Sequence, residues 1–191
     1  LLDPRMGFWS RKIPKKLTER EVAMFAIGKG LHERFLPGPG SDSGEKTSVE
    51  FGITYSPDEM RDGVPREFKT TRSYYEPKTV KDVSLYIEQL QIYMACEDSL
   101  KGGLDVMYLN LKEDGKTTPA MRSINIEYTP EQMAEVKKEI KLTVHMIEAA
   151  MATDDPTSLP LCREFKCSRS ACKWYENCRP EGRYGTPKFD K

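Results

Sequence analysis

An α/β fold is predicted, with a small mixed central sheet flanked by helices and a cysteine-rich C-terminal appendage. Three observations predict it. Apolar residues recur at helical spacing over three long stretches and at strand spacing over four shorter ones. The segments run helix, strand, strand, helix, strand, strand, helix, an order that packs helices against a mixed sheet. After Asp154 the periodicity stops and four cysteines crowd together. The expected division is a core over residues 1–153 and a cysteine-rich tail over 154–191.

Residues 17–36 read as the first helix. Thr18 and Glu21 have the spacing of a capping box, and Val22, Phe25, Ala26 and Leu31 supply an apolar face. Pro37-Gly38-Pro39-Gly40 ends it, and a Gly/Ser-rich loop follows. Residues 47–55 alternate as a strand, and 64–71 look like their hairpin partner across an Asp62-Gly63 turn. Val83, Ile87, Leu90 and Met94 place a second helix over 79–98. Residues 104–111 read as a buried strand and 123–128 as another. Thr129-Pro130-Glu131-Gln132 then caps a long helix to about Met151, with Thr at the cap and Pro at the first helical position.

The chain has 191 residues, of which 31% are charged. Its mean hydropathy is -0.64. That suits one globular domain with a moderate core and a small appendage. No apolar run approaches the roughly 20 residues of a membrane-spanning helix. No secretory signal is visible, and a cytoplasmic protein is expected. The first residue is Leu1 rather than Met, which leaves an upstream segment open. Thirty basic and thirty acidic residues give a formal charge of +0, but the distribution is uneven. Residues 160–191 hold eight Lys/Arg against four Asp/Glu, and the first twenty residues hold six against two. Basic ends around a more acidic middle suit a phosphate backbone approaching a carboxylate centre. Ordinary solvated surface is the plainer account of either end alone.

The chemistry concentrates in Ser56-Pro57-Asp58, followed nine residues later by Glu67-Phe68-Lys69. Residues two apart on a strand share a face, so Glu67 and Lys69 project together while Phe68 turns to the core. A hairpin brings Asp58 against Glu67. Two carboxylates and the Phe68 backbone carbonyl are hard oxygen ligands, the donors that Mg²⁺ or Mn²⁺ takes. Lys69 beside them would position a water or offset charge building on a phosphorus centre. The spacing alone is weak, since acid-rich hairpins produce it by chance. Glu59 is the rival to Asp58, and Glu33, Glu59 and Asp62 otherwise read as surface. Gln89 and Tyr93 lie one turn apart on the second helix, about 6 Å along its axis, on a face distinct from the apolar stripe.

Gly30-Leu31-His32-Glu33 on the first helix, then Pro57-Asp58, Glu67-x-Lys69 and Gln89-x-x-x-Tyr93 resemble, in this order, the PD-(D/E)XK nuclease superfamily. The branch resembled is the RecB-like iron–sulfur exonucleases, including the CRISPR-associated type. The resemblance runs from about Gly28 to Cys178. It implies a restriction-endonuclease-like core, with metal held by His32, Asp58, Glu67 and the Phe68 carbonyl. It implies a catalytic Lys69, and Gln89 and Tyr93 lining the site against a DNA strand.

Cys162-x4-Cys167-x4-Cys172-x5-Cys178 stands among Arg163, Lys166, Arg169 and Lys173. Cationic neighbours favour thiolates, which bind zinc or an iron–sulfur cluster. Structural zinc sites usually show C-x2-C knuckles, and the wider gaps here fit a cluster, 4Fe–4S above all. The resembled branch commonly takes one cysteine from upstream of the first helix and three from the C-terminal region. This chain has no cysteine before Cys96. Either an upstream ligand lies outside the sequence, or Cys162 fills the place. The plain role of a cluster is a staple for the irregular tail. Trp174 and Tyr175 either stack on bases or pack on the cluster. Cys96 reads as a small buried hydrophobe.

The expectation is a Mg²⁺- or Mn²⁺-dependent exonuclease acting on single-stranded or frayed DNA ends, in DNA repair or CRISPR adaptation. Two other classes stay open. One is a non-catalytic, metal-stapled nucleic-acid-binding module. The other is a structural partner of a nuclease or integrase.

Overall fold

The structure is a computed structural model that describes residues 3–35, 44–76, 83–113, 115–162 and 172–178. The chain divides into two compact units, Leu17–Lys141 and Leu1–Lys16 with Leu142–Lys191. Compactness therefore divides the chain at points other than the 153/154 step where the composition changes. Helix α1 (Pro4–Lys12) belongs to the smaller unit. The larger unit carries α2 (Glu19–Phe35), β1 (Lys46–Ser48), β2 (Ile53–Tyr55), β3 (Glu59–Arg61), β4 (Val64–Thr71), α3 (Ser84–Cys96), β5 (Lys101–Glu113) and β6 (Lys116–Glu127). The division falls within α4 (Pro130–Thr153).

The central sheet runs β3-β4-β5-β6. β4 and β5 are parallel, and both flanking pairs are antiparallel. A parallel pair needs a crossover, and α3 supplies it. Leu104, Val106, Tyr108 and Leu111 of β5 are no more than 2% exposed. Ile87, Leu90 and Met94 form the buried stripe of α3, and α3 packs on β4 and β5. Gly102 permits that approach: a Cβ there would stand 2.6 Å from Met94 Sδ and 3.0 Å from Leu90 Cγ. On the other face of the sheet, the Arg66 guanidinium donates to both Asp105 oxygens, at 2.8 and 2.9 Å. The Ser123 hydroxyl donates to the same carboxylate at 2.5 Å. Three adjacent strands are tied together there, which holds their register.

The expected caps form. Glu21 accepts from the Thr18 amide at 2.7 Å, and the Thr18 hydroxyl accepts from the Glu21 amide at 3.3 Å. Thr129 and Gln132 repeat the pattern at α4. Asp62 (φ +52°) and Gly63 (φ +76°) make the turn before β4, in the left-handed region that short hairpins favour.

Three expectations are corrected. Residues 47–55 are not one strand paired with 64–71. They fold on themselves as β1 and β2, around a turn in which Gly52 takes φ +64° and donates its amide to the Ser48 carbonyl. The hairpin partner of β4 is the short β3. The apolar residues of α2 do not form a core face either: Val22, Met24, Phe25 and Ile27 are 43–66% exposed. Finally, Glu59 is buried rather than a surface acid, paired with Arg61 at 2.8 Å.

The smaller unit has its own core of Phe8, Ile147, Ala150 and Leu159, with Trp9 edge-on to Phe8 at 5.2 Å. Arg5 is 3% exposed and donates to the carbonyls of Thr157 and Leu159. A short 3-10 turn (Pro156–Ser158) and one helical turn, α5 (Tyr175–Cys178), complete what is described of it. Trp174 donates its indole N–H to the Ile13 carbonyl at 3.0 Å. No described helix is long and apolar enough to cross a membrane.

Candidate active site

Strand pairing builds the site from two short pieces of chain. The β3–β4 register sets Glu59 opposite Arg66, so Asp58, one residue earlier, falls beside Glu67. Asp58 Oδ2 accepts the Phe68 backbone N–H at 2.7 Å, which pins the carboxylate to β4. Alternation then turns Glu67 and Lys69 to the face covered by α3 and buries Phe68 at 6% exposure on the other. From α3, Gln89 and Tyr93 reach the same space, and the Gln89 amide donates to the Tyr93 hydroxyl at 2.6 Å. Asp58, Glu67, Lys69, Gln89 and Tyr93 line one cavity of about 740 Å³.

Glu67 is the unusual group. It is 1% exposed. Its Oε1 is paired with the Lys69 ammonium, while its buried Oε2 has no hydrogen-bond partner among the described residues. Burial pushes its carboxyl up to about 7, with the Asp58 charge adding to the rise and the Lys69 charge opposing it. A carboxylate oxygen held dry beside a second carboxylate is a costly arrangement unless a proton or a cation shares it. Burial, and then the charge of Glu67, also raise the Tyr93 hydroxyl above the ordinary tyrosine value, so it stays a hydrogen-bond donor. The Lys69 ammonium lies 5.8 Å from the centre of the Tyr86 ring, a cation–π distance.

The donor set fits a hard divalent cation: two carboxylates, one with a buried oxygen left over, and the carbonyl of Phe68, the residue after Glu67. Among the described residues no group of three or more His, Cys, Asp or Glu side chains is placed to hold a metal. His32 lies on α2, but its side chain is outside the described residues. In the tail, Cys162, Cys172 and Cys178 are half-buried, and Cys167 is outside the described residues. The Cys178 amide donates to the Trp174 carbonyl and the Tyr175 amide to the Cys172 carbonyl, at 2.9 and 3.2 Å. Cys96 is half-buried rather than fully enclosed, and burial pushes its thiol up to about 11.

Sequence reasoning missed one wall of the cavity. α2 contributes Arg20, Glu21, Met24, Phe25, Gly28 and Lys29. These are two rows of i, i+4 spacing on adjacent strips of one helix face. The spacing was visible, but Phe25 reads as core when its exposure is unknown.

No family model matches the sequence, and no curated protein matches it. Solved structures do resemble it in fold. It aligns with a phage-related exonuclease from Haemophilus somnus 129PT at a TM-score of 0.51 and 12% identity, over 79% of this chain and 81% of that one. It aligns with SSO0001 at a TM-score of 0.50 and 18% identity, over 90% of this chain and 78% of that one. At these identities the likeness shows the fold. It is a mixed α/β fold that this chain shares with both.

Proposed function

We propose that this chain is a Mg²⁺- or Mn²⁺-dependent deoxyribonuclease that hydrolyses phosphodiester bonds at the Asp58–Glu67–Lys69 cavity. The observation that carries the reading is Glu67: a buried carboxylate with an unpartnered oxygen, beside Asp58, facing a cavity large enough for a nucleotide. Asp58, Glu67 and the Phe68 carbonyl would hold the cation, and His32 is its proposed fourth ligand. Such an ion, when bound, polarises a phosphate and lowers the pKa of its water.

The chain's own groups do the rest. Asp58 is anchored by the Phe68 amide, so its carboxylate keeps a set direction. Lys69 places a positive charge where the attacked phosphate gains negative charge. Tyr93, kept protonated, and Gln89 offer donors to a phosphate or base from one turn of α3. The shared fold with a phage-related exonuclease supports cleavage from an end. The preference for single-stranded or frayed DNA and the roles in repair or CRISPR adaptation rest on the resemblance of the motifs. So does a 4Fe–4S cluster on Cys162, Cys167, Cys172 and Cys178 as a staple for the tail. Iron and acid-labile sulfide in equal amounts, with broad visible absorption, are expected of protein purified without oxygen. Stoichiometric zinc in a colourless protein overturns the cluster and leaves the nuclease.

The experiment is a timed digest of 5′- and 3′-labelled oligonucleotides with Mn²⁺, with and without EDTA, by wild type and Glu67→Gln. Wild type should shorten the strand only with metal, and the variant should be inactive. Equal activity of the two rejects the assignment. A second reading is a nucleic-acid-binding module without cleavage, which the exposed Phe25 and Met24 on the cavity wall would serve equally well. Binding without shortening, across several divalent metals, would establish it.

A further inference from the structure

The α2 wall of the cavity has a chemistry that hydrolysis alone does not require. Its middle is apolar and exposed, with Phe25 66% and Met24 43% accessible. Its ends are cationic: Arg20 stands one turn before Met24, and Lys29, loosely paired with the exposed Glu33 at 3.8 Å, one turn after Phe25. The acid on this wall, Glu21, is occupied at the helix cap by the Thr18 amide and hydroxyl. Arg72, at the exit of β4, sets a further guanidinium against Met24 Sδ at 3.4 Å. Gly28 continues the Arg20–Met24 row, and a Cβ built on it would meet nothing within 4 Å. The wall is therefore an apolar slot open at Gly28 and flanked by positive charge. The Asp58–Glu67 pair lies in the same cavity.

We infer that α2 is a base-contact wall: Phe25 stacks on an unpaired base while Arg20 and Lys29 take the flanking phosphates. An aromatic ring between cations is how sequence-tolerant single-strand sites are built. Bases inside a duplex are stacked on one another and offer no face to Phe25, so the wall selects single-stranded nucleic acid. Val22, Met24, Phe25 and Ile27 are exposed together on this helix, and exposed apolar groupings of that kind mark interaction sites. The inference rests on the nucleic-acid reading of the site and deepens it.

The test measures anisotropy of labelled short oligothymidine on the full chain without metal, against an abasic oligomer of equal length and a duplex. Wild type should bind oligothymidine on the order of tenfold more tightly than the abasic strand. Phe25→Ala should erase that difference, and Phe25→Trp should keep it. Gly28→Leu should fill the slot and weaken oligothymidine binding without lowering the melting temperature, since it removes a helical glycine. Ribo- and deoxyribo-oligomers run side by side identify the sugar. Equal binding of base-bearing and abasic strands by wild type, or no change in Phe25→Ala, overturns the wall. So does a Phe25→Ala protein that loses self-association yet binds oligothymidine normally, which would make the face a protein interface. Cleavage by wild type with Mn²⁺ separates the two claims. A protein that cuts but ignores bases sinks the wall alone. One that discriminates bases but never cuts supports the wall and sinks the nuclease. Binding to no oligomer sinks both.

Discussion

Glu67 sets the behaviour of the cavity at the scale of single residues. Its folded pKa, about 7, stands above the ordinary value of 4.5 because burial disfavours the charged form. The folded state thus holds this proton more tightly than the unfolded chain does. The resulting stability is fully present below pH 4.5 and is lost as pH rises through about 7. For the metal-free protein this amounts to roughly 3 kcal/mol at most. Urea titrations across that window should show the decline in wild type and a flatter profile in Glu67→Gln. An unchanged slope in the variant would assign the pH dependence elsewhere. Cation binding should release the same proton, so calorimetry of Mn²⁺ in buffers of different ionisation heat should show proton release at pH 6 to 7. Lys69→Met removes the charge that opposes the rise, so the Glu67 carboxyl should climb further. Turnover should fall by a hundredfold or so while strand affinity changes little. A fall in affinity with turnover preserved would reduce Lys69 to a binding group. These placements were legible because they follow from periodicity: a two-residue period puts Glu67 with Lys69, and a four-residue step puts Gln89 with Tyr93. Phe25 was not legible. Nothing in a sequence distinguishes an aromatic that packs from one that waits for a base.

The β4–α3–β5 crossover carries half of the cavity at the element scale. Gln89 and Tyr93 are placed by how closely α3 lies on the sheet, and Gly102 sets that distance. Gly102→Ala would drive a methyl against Met94 Sδ and Leu90 Cγ, both near-wholly buried. Overpacking of this kind costs about 1–3 kcal/mol. The midpoint of denaturation should fall accordingly, and nuclease turnover should fall beyond what the unfolded fraction explains, because Tyr93 is displaced. Full activity in a destabilised variant would show that α3 yields without moving the site. The helix itself was readable from Val83, Ile87, Leu90 and Met94, and the mixed sheet from the order of helices and strand pairs. The glycine was not, because its role depends on which helix lands above it. The stretch 47–55 was misread for a related reason. Its alternation holds over a few residues, but Gly52 allows a left-handed turn that the period cannot register. The α1 helix was missed because nine residues are too few for periodicity to declare itself, and its two buried side chains, Arg5 and Phe8, find their partners far along the chain.

The whole molecule joins its two chain ends in one unit, which changes the meaning of the charge distribution. The basic N-terminal segment and the basic cysteine-rich tail looked like separate ends of a neutral chain. Their described parts belong to a single body, with Lys12 paired to Asp154 at 2.6 Å and Lys15 donating to the Lys173 carbonyl. Phe8 holds that body together. It is 1% exposed and clusters with Ile147, Ala150 and Leu159, while the neighbouring Arg5 ties the carbonyls beyond α4. Phe8→Ala should cost about 3–5 kcal/mol through the cavity it leaves. That is most of what a unit of this size has to lose. Limited proteolysis of the full chain should then expose cleavage sites within residues 142–162 that wild type protects. If the four thiols share a cluster, iron content should fall with that protection, since an iron-sulfur site depends on the fold that gathers its ligands. Protection retained in Phe8→Ala would mean that the tail is held by its own ligands, with the N-terminal helix only resting on it. Protection lost with iron retained would mean that the thiols gather without the aromatic core. Each result assigns the staple to one of two physical causes, burial or ligation, and the expected one is burial.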